Sequence, residues 1–383
     1  MVTELLDVPA LSQLRKRRSE KWRTYPSDVL PLPVAEMDFP LADPIAEALQ
    51  AALDLSDTGY PVAGPELGEA LAAFAGQRWD WAIDPKTVVA AADVSVAAVE
   101  LLRVLCRPGD AVVISPPVYP PFFGWIPEAG ARLVEVPLQR DDDGFWRLDL
   151  PALERAFRDG PAAYLLCNPH NPVGRVHEAD ELRELVRLAA RHGVTILSDE
   201  IHGPLVLPGA KFTPLHTLSG ATEMAFVLTS ASKAWNVAGL KCAAIVPGSG
   251  RLRSVTDALP AEMPLRIGHF GLLASQAAWT RGGPWLDQLL ATLADRRRQL
   301  RELLAARLPT VRWQPPEATY LAWLDCRAIG SGNEPRQLFL ERGRVGLEPG
   351  MNFGAVGSGY VRLNFATSAE ILDEAVARMA AAV

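Results

Sequence analysis

From about Pro40 to about His269 the chain repeats one alternation: a short apolar run rich in β-formers, then a stretch with helical periodicity. The runs are VVAAADV (88–94), AVVISPP (111–117), RLVEVPL (132–138), AAYLLCNP (162–169), TILSDEI (195–201), AFVLTSAS (225–232) and AAIVPG (243–248). Several are apolar at nearly every position, where a strand with one wet face would alternate. They therefore predict strands covered on both sides. Between them, VAAVELLRVL, LPALERAF and EADELRELVRLAARHG carry the helical period, the last stopping at Gly193. This alternation predicts an α/β fold with a mixed, mostly parallel sheet between helices.

Beyond this region the pattern changes. WLDQLLATLADRRRQLRELLAARL (285–308) reads as one long amphipathic helix, with RRR on a solvated face. TYLAWLDC, a helix near 335–342, YVRLNFA and a terminal helix make a smaller α+β unit. A chain of 383 residues exceeds one compact core. The expected division is an N-terminal segment, 1–39, contributing to a small domain, a large domain over 40–270, and the C-terminal small domain over 271–383. DDDG (141–144) reads as a polar turn between strands.

A net charge of −7 argues against nucleic acid or an anionic membrane as partner. No apolar stretch is long enough to span a bilayer. The opening MVTELLDVPALSQLRKRRSEKW has charges where a secretory segment needs apolar residues, so no signal peptide is expected. Cys106, Cys167, Cys242 and Cys326 lie far apart on apolar segments, which fits a reduced cytoplasm. The histidines show no metal-ligand spacing, and no metal is expected.

In open α/β sheets, ligands collect beyond the carboxyl ends of the strands. The polar residues that interrupt the apolar runs fall at those ends: Asp93 with Ser95, Tyr119, Asn168 with Asn171, Asp199 with His202, and Ser230 with Lys233. Lysine is scarce, six among 38 basic residues, yet one stands in TSASKAWNVAGLK (229–241). Desolvation at a buried strand end disfavours the ammonium form, which makes the amine a nucleophile suited to a Schiff base. A carboxylate from another strand end can keep a pyridine nitrogen protonated. Ser230, Ser232, Lys241 and the amides after Asp93 offer donors for a phosphate. Aldehyde, pyridinium and phosphate together describe pyridoxal 5′-phosphate (PLP).

CNPHNPVG (167–174), SDEIH (198–202), SASKAWNVAGLK (230–241) and VRLNFA (361–366) occur in an order that resembles the fold-type I PLP-dependent enzymes of the class I/II aminotransferase superfamily. VAEMDFP (34–40), DTGYP (57–61), SPPVYPPFF (115–123) and TYLAWLD (319–325) resemble its MalY/PatB branch, the cystathionine β-lyase-like C–S lyases. The resemblance implies that Lys233 carries the cofactor and moves the substrate Cα proton, while Asp199 pairs with the pyridinium nitrogen. It implies that Asn171 bonds the ring's 3-oxygen beside His202 and that Tyr119 stacks on the ring. Arg362 would grip the substrate carboxylate, and Asn171 would join it in binding the substrate. Ser230, Ser232, Lys241 and the amides of Val94 and Ser95 would hold the phosphate. Tyr60 would reach the neighbouring subunit's phosphate across a homodimer with shared active sites, joining Lys233 and Tyr119 in the implied catalytic set. Glu36, His170 and Glu200 are expected to be structural.

Asp93 departs from the small residue this family carries at that turn, and is expected to cap the following helix. The substrate implied is a small amino acid. The MalY/PatB-like segments imply β-elimination of a thiol from L-cystathionine or another S-substituted L-cysteine, giving pyruvate and ammonia. Two alternatives stay open: an aminotransferase using an L-amino acid and a 2-oxo acid, and a catalytically silent regulator on the same fold.

Overall fold

The computed structural model describes residues 4–62, 64–141, 144–330, 332 and 334–383. Each of the seven apolar runs contains a strand: β1 Val89–Ala91, β2 Ala111–Ile114, β3 Arg132–Glu135, β4 Ala163–Cys167, β5 Thr195–Asp199, β6 Ala225–Thr229 and β7 Ala243–Val246. They form one sheet in the order β1-β7-β6-β5-β4-β2-β3. Only β7 runs antiparallel to its neighbours. The connection from β6 to β7 holds one short 3₁₀ turn, Ala238–Leu240, where a parallel return needs a full crossover.

The continuous apolar runs have a direct structural cause. Successive residues of β4 enter different cores, Tyr164 and Leu166 on one face and Ala163, Leu165 and Cys167 on the other. In β6, Val227 and Leu228 divide in the same way. A strand with cores on both faces has no wet side to mark with polar residues. Helices Val94–Leu105, Leu150–Arg158 and Ala179–His192 cover the sheet's strands. The last ends at Gly193, whose left-handed φ of 69° suits a residue without Cβ.

The helix Gly283–Arg307 buries Leu286, Leu289, Leu293, Leu300 and Leu304 along one stripe. Its arginine run is occupied locally, Arg296 and Arg298 pairing with Asp295 while Arg297 donates to the Pro316 carbonyl at 2.8 Å. Beyond it lies an antiparallel sheet ordered Arg312–Trp313, Leu321–Asp325, Tyr360–Asn364, Glu348–Pro349. The N-terminal Leu30–Pro31 pairs in parallel with Val345–Gly346, so the two ends of the chain meet. Gln139–Arg140 and Trp146–Arg147 pair antiparallel around the expected DDDG turn, whose Asp142 and Asp143 lie outside the described residues.

One buried ion pair fixes the N-terminal segment. Lys21 and Asp38 are fully buried with Nζ and Oδ2 2.8 Å apart, and Trp22 Nε1 donates to the other carboxylate oxygen at 3.0 Å. Removing one partner would strand a buried charge, at a cost of roughly 3–5 kcal/mol. Arg17 donates to the carbonyls of Met37, Asp38 and Phe39 from the same side.

Candidate active site

The carboxyl ends of β1, β4, β5 and β6 open onto a cleft of about 300 Å³. Lys233, Asp199, Asn171, His202, Tyr119 and Arg362 all line it, as do Val94, Ser95, Ser232 and Lys241. The sheet brings the first of these together through register. Asp199, the last residue of β5, stands opposite Cys167 at the end of β4 and Leu228 in β6. Lys233 follows β6 by one turn, and its Nζ donates to the Ala35 carbonyl at 3.2 Å.

Burial sets the charges. The Lys233 amine is drawn down to about 8, first by desolvation and then by Arg362, against the pull of Glu36 and Asp199. Burial pushes Asp199 up to about 7, opposed by the Ile201 N–H that donates to it at 3.1 Å and by Lys233. His202 falls to about 3 through burial, then through Lys233 and Arg362, so its imidazole is neutral at pH 7. Desolvation also holds the Tyr119 phenol up to about 12, protonated and packed edge-on against Phe122 and Trp125.

Arg362 lies on the small sheet opposite Trp323 and is buried in the cleft wall. Its Nη1 donates to Asn171 Oδ1 at 3.1 Å and its Nη2 to the Pro33 carbonyl at 2.9 Å. Nε has no partner, and no carboxylate pairs with this guanidinium among the described residues. His202 Nδ1 is likewise buried without a partner. A buried cation that Glu348 reaches only through space, with no carboxylate in ion-pair contact among the described residues, marks a place for an anionic ligand beside an idle imidazole.

At the other end of the cleft, Asp93 caps helix Val94–Leu105 by accepting from the Val96 N–H at 2.8 Å. The first-turn amides of Val94 and Ser95 have no acceptor within their own helix, as helix geometry requires. Lys241 Nζ meets the second Asp93 oxygen at 3.0 Å, which offsets the carboxylate beside those amides.

Three further residues named from the sequence take up distinct positions. Ser230 does not line the cleft: its hydroxyl donates to the Cys242 carbonyl at 2.6 Å, and it accepts from the Ser232 N–H at 3.1 Å. Only Ser232 reaches the wall, with Ser230 behind it. Glu36 was expected to be structural, yet it lines the cleft, because the N-terminal segment folds over the strand ends. Tyr60 lies outside this chain's cleft with 86% of its surface exposed. Sequence reasoning also missed Glu20, Trp125 and Cys167 on the cleft wall. Cys167 could have been found from its place at the end of β4; Glu20 carries no sequence signal.

The family described as aminotransferase class I and II matches residues 27–379. The chain belongs to this family, and its α/β architecture is the fold-type I arrangement. Within the family it sits in the branch that includes the cystathionine β-lyases. PatB of Bacillus subtilis (strain 168), named a cystathionine β-lyase, is 35% identical, with 93% of each chain covered. A Mycobacterium leprae (strain TN) protein, provisionally named a cystathionine β-lyase, is 45% identical over 100% of this chain and 99% of its own. The crystal structure of cystalysin from Treponema denticola, which contains pyridoxal 5′-phosphate, superposes with a TM-score of 0.90 at 27% identity, covering 100% of this chain and 99% of that one.

Proposed function

We propose that this chain is a PLP-dependent carbon–sulfur β-lyase that releases a thiol from L-cystathionine or another S-substituted L-cysteine, leaving pyruvate and ammonia. The observation that carries the reading is Lys233, with its lowered amine pKa, in one cleft with buried Asp199 and buried Arg362, whose Nε has no partner among the described residues. The cleft's residues fit the cofactor. Asp199 is a buried carboxylate that lacks a full cationic partner, and a protonated ring nitrogen would supply one. Ser232, Lys241 and the amides of Val94 and Ser95 offer donors at the phosphate end.

PLP, when bound, withdraws electrons from the substrate's Cα–H bond, so the proton is lost easily and the bond from Cβ to sulfur can break. The protein's residues supply the rest. Arg362 clamps the α-carboxylate and, with Asn171, fixes which bond at Cα faces Lys233. A Lys233 pKa of about 8 lets Nζ accept the Cα proton near neutral pH and hand it on to the departing sulfur. With the cofactor bound, Asp199 would keep a proton on its ring nitrogen, Tyr119 would cover the ring, and neutral His202 would support its oxygen side. Tyr60 completes the phosphate site of a partner subunit in a homodimer. The large domain over 40–270 carries the cofactor, the small domain combines 271–383 with 1–39, and four free cysteines suit a cytoplasmic enzyme.

The test is incubation with L-cystathionine and no 2-oxo acid. Release of pyruvate with homocysteine over many turnovers is expected. Stoichiometric accumulation of pyridoxamine phosphate, with turnover only after a 2-oxo acid is added, identifies an aminotransferase instead. No reaction with either mixture, repeated across a panel of S-substituted L-cysteines, favours a silent regulator.

A further inference from the structure

The N-terminal segment puts two carboxylates on the wall of the cleft. Glu20 opens the short helix Glu20–Arg23 and is exposed, whereas Glu36 is half-buried beside Ala35; both line the cavity shared with Lys233 and Arg362. Their backbone carbonyls are occupied, by Thr24 Oγ1 at Glu20 and by Lys21 Nζ and Asn364 Nδ2 at Glu36. Neither carboxylate group has a hydrogen bond or ion pair among the described residues. Both positions are nonetheless fixed from behind. Lys21, next to Glu20, and Asp38, two residues beyond Glu36, form the buried ion pair already described.

A separate observation points to a charged ligand in this cavity. His202 and Arg362 are each more than nine-tenths buried in its wall with an unpartnered nitrogen. Arg362 suits the carboxylate end of an amino acid. The far end of the same ligand would meet two carboxylates whose nearby cation is the Lys233 amine, the group that the cofactor would engage.

We propose that Glu20 and Glu36 form a subsite for a cationic group at the far end of the sulfur substituent, so that the cleft selects S-substituted L-cysteines whose leaving thiol bears an ammonium. This selectivity presupposes the lyase reading above. An ammonium that moves into the cleft exchanges part of its water for two carboxylates whose backbone is already anchored. An alkyl group of equal length gains no such contact, and a carboxylate is repelled.

The test compares kcat/KM for pyruvate release from three conjugates of equal chain length: S-(3-aminopropyl)-, S-butyl- and S-(3-carboxypropyl)-L-cysteine. The aminopropyl conjugate should exceed the butyl one by about tenfold, with the carboxypropyl conjugate slowest, and the spread should shrink at high salt. Glu20→Gln and Glu36→Gln should each cut the aminopropyl-to-butyl ratio by about threefold. Glu20→Lys should shift preference toward the carboxypropyl conjugate. Using a ratio cancels any general effect of Glu36 on Lys233, and exposed Glu20 tolerates substitution without loss of the fold. Equal rates for the three conjugates, or a ratio unchanged in both glutamine variants, overturn the subsite and leave the lyase reading intact. No pyruvate from any conjugate overturns the lyase reading and the subsite with it.

Discussion

Lys241 forms an ion pair with Asp93, Nζ to Oδ2 at 3.0 Å, and both residues line the cleft where helix Val94–Leu105 begins. One carboxylate thus performs two tasks, capping the helix and holding the cation that would otherwise be free for a phosphate. Asp93→Asn keeps the cap and removes the charge. It should tighten PLP binding by about fivefold, measured by equilibrium titration of the apoprotein, while Lys241→Met should weaken it by a similar factor. Asp93→Ala should also lose about 1 kcal/mol of stability with the cap. Weaker PLP binding in Asp93→Asn would remove Lys241 from the phosphate site.

Arg362 forms no ion pair with a carboxylate among the described residues and makes two hydrogen bonds to neutral oxygens, Asn171 Oδ1 and the Pro33 carbonyl. Arg362→Lys keeps the charge but loses the fork. It should lower kcat/KM for the cysteine conjugate by about a hundredfold, chiefly through KM, with PLP content unchanged. A matching loss of bound PLP would instead assign Arg362 to the cofactor.

Much of this arrangement was legible in the sequence, and the limits have physical causes. The strands were legible because double-sided burial makes them apolar at nearly every position, and the rim residues because they interrupt those runs. The mostly parallel sheet was legible in the alternation of strand and helix, but which strand reverses was not; β7 turns back because its connection is short. Ser230 and Ser232 look equivalent as letters. The fold turns one toward the Cys242 carbonyl and the other toward the cleft. Glu20 and Glu36 could not be placed, because their position depends on a buried pair, Lys21 with Asp38, that forms only when the segment folds back.

Glu200 offers a pH signature. Its Oε1 accepts from Ser198 Oγ, Asn168 Nδ2 and the Leu215 N–H at 3.0, 3.3 and 2.9 Å, and burial pushes its pKa up to about 8. An acid whose pKa is higher folded than unfolded binds extra protons in the native state. Its contribution is complete below the unfolded value and is lost as pH rises through about 8. Glu200→Gln retains an acceptor oxygen and cannot ionise. Melting temperatures followed from pH 4 to pH 9 should fall more steeply for the wild type than for this variant. Parallel curves would show that Glu200 does not titrate in this window.

Tyr60 is exposed and does not line its own chain's cleft, so its implied role at the cofactor calls for a second subunit. Tyr60→Phe should weaken PLP binding while leaving a dimer in sedimentation. Exchanging its subunits with those of Lys233→Ala should rebuild sites that have both groups and restore tight binding. Sedimentation as a monomer with full PLP affinity would place Tyr60 outside the site.

Borohydride reduction of PLP-loaded protein, followed by peptide mass spectrometry, asks the most direct question. A single pyridoxyl phosphate adduct on Lys233 is expected, with none in Lys233→Ala. An adduct on Lys21 or Lys241, or no stable adduct in the wild type, would contradict the assignment of Lys233 as the amine that carries the cofactor.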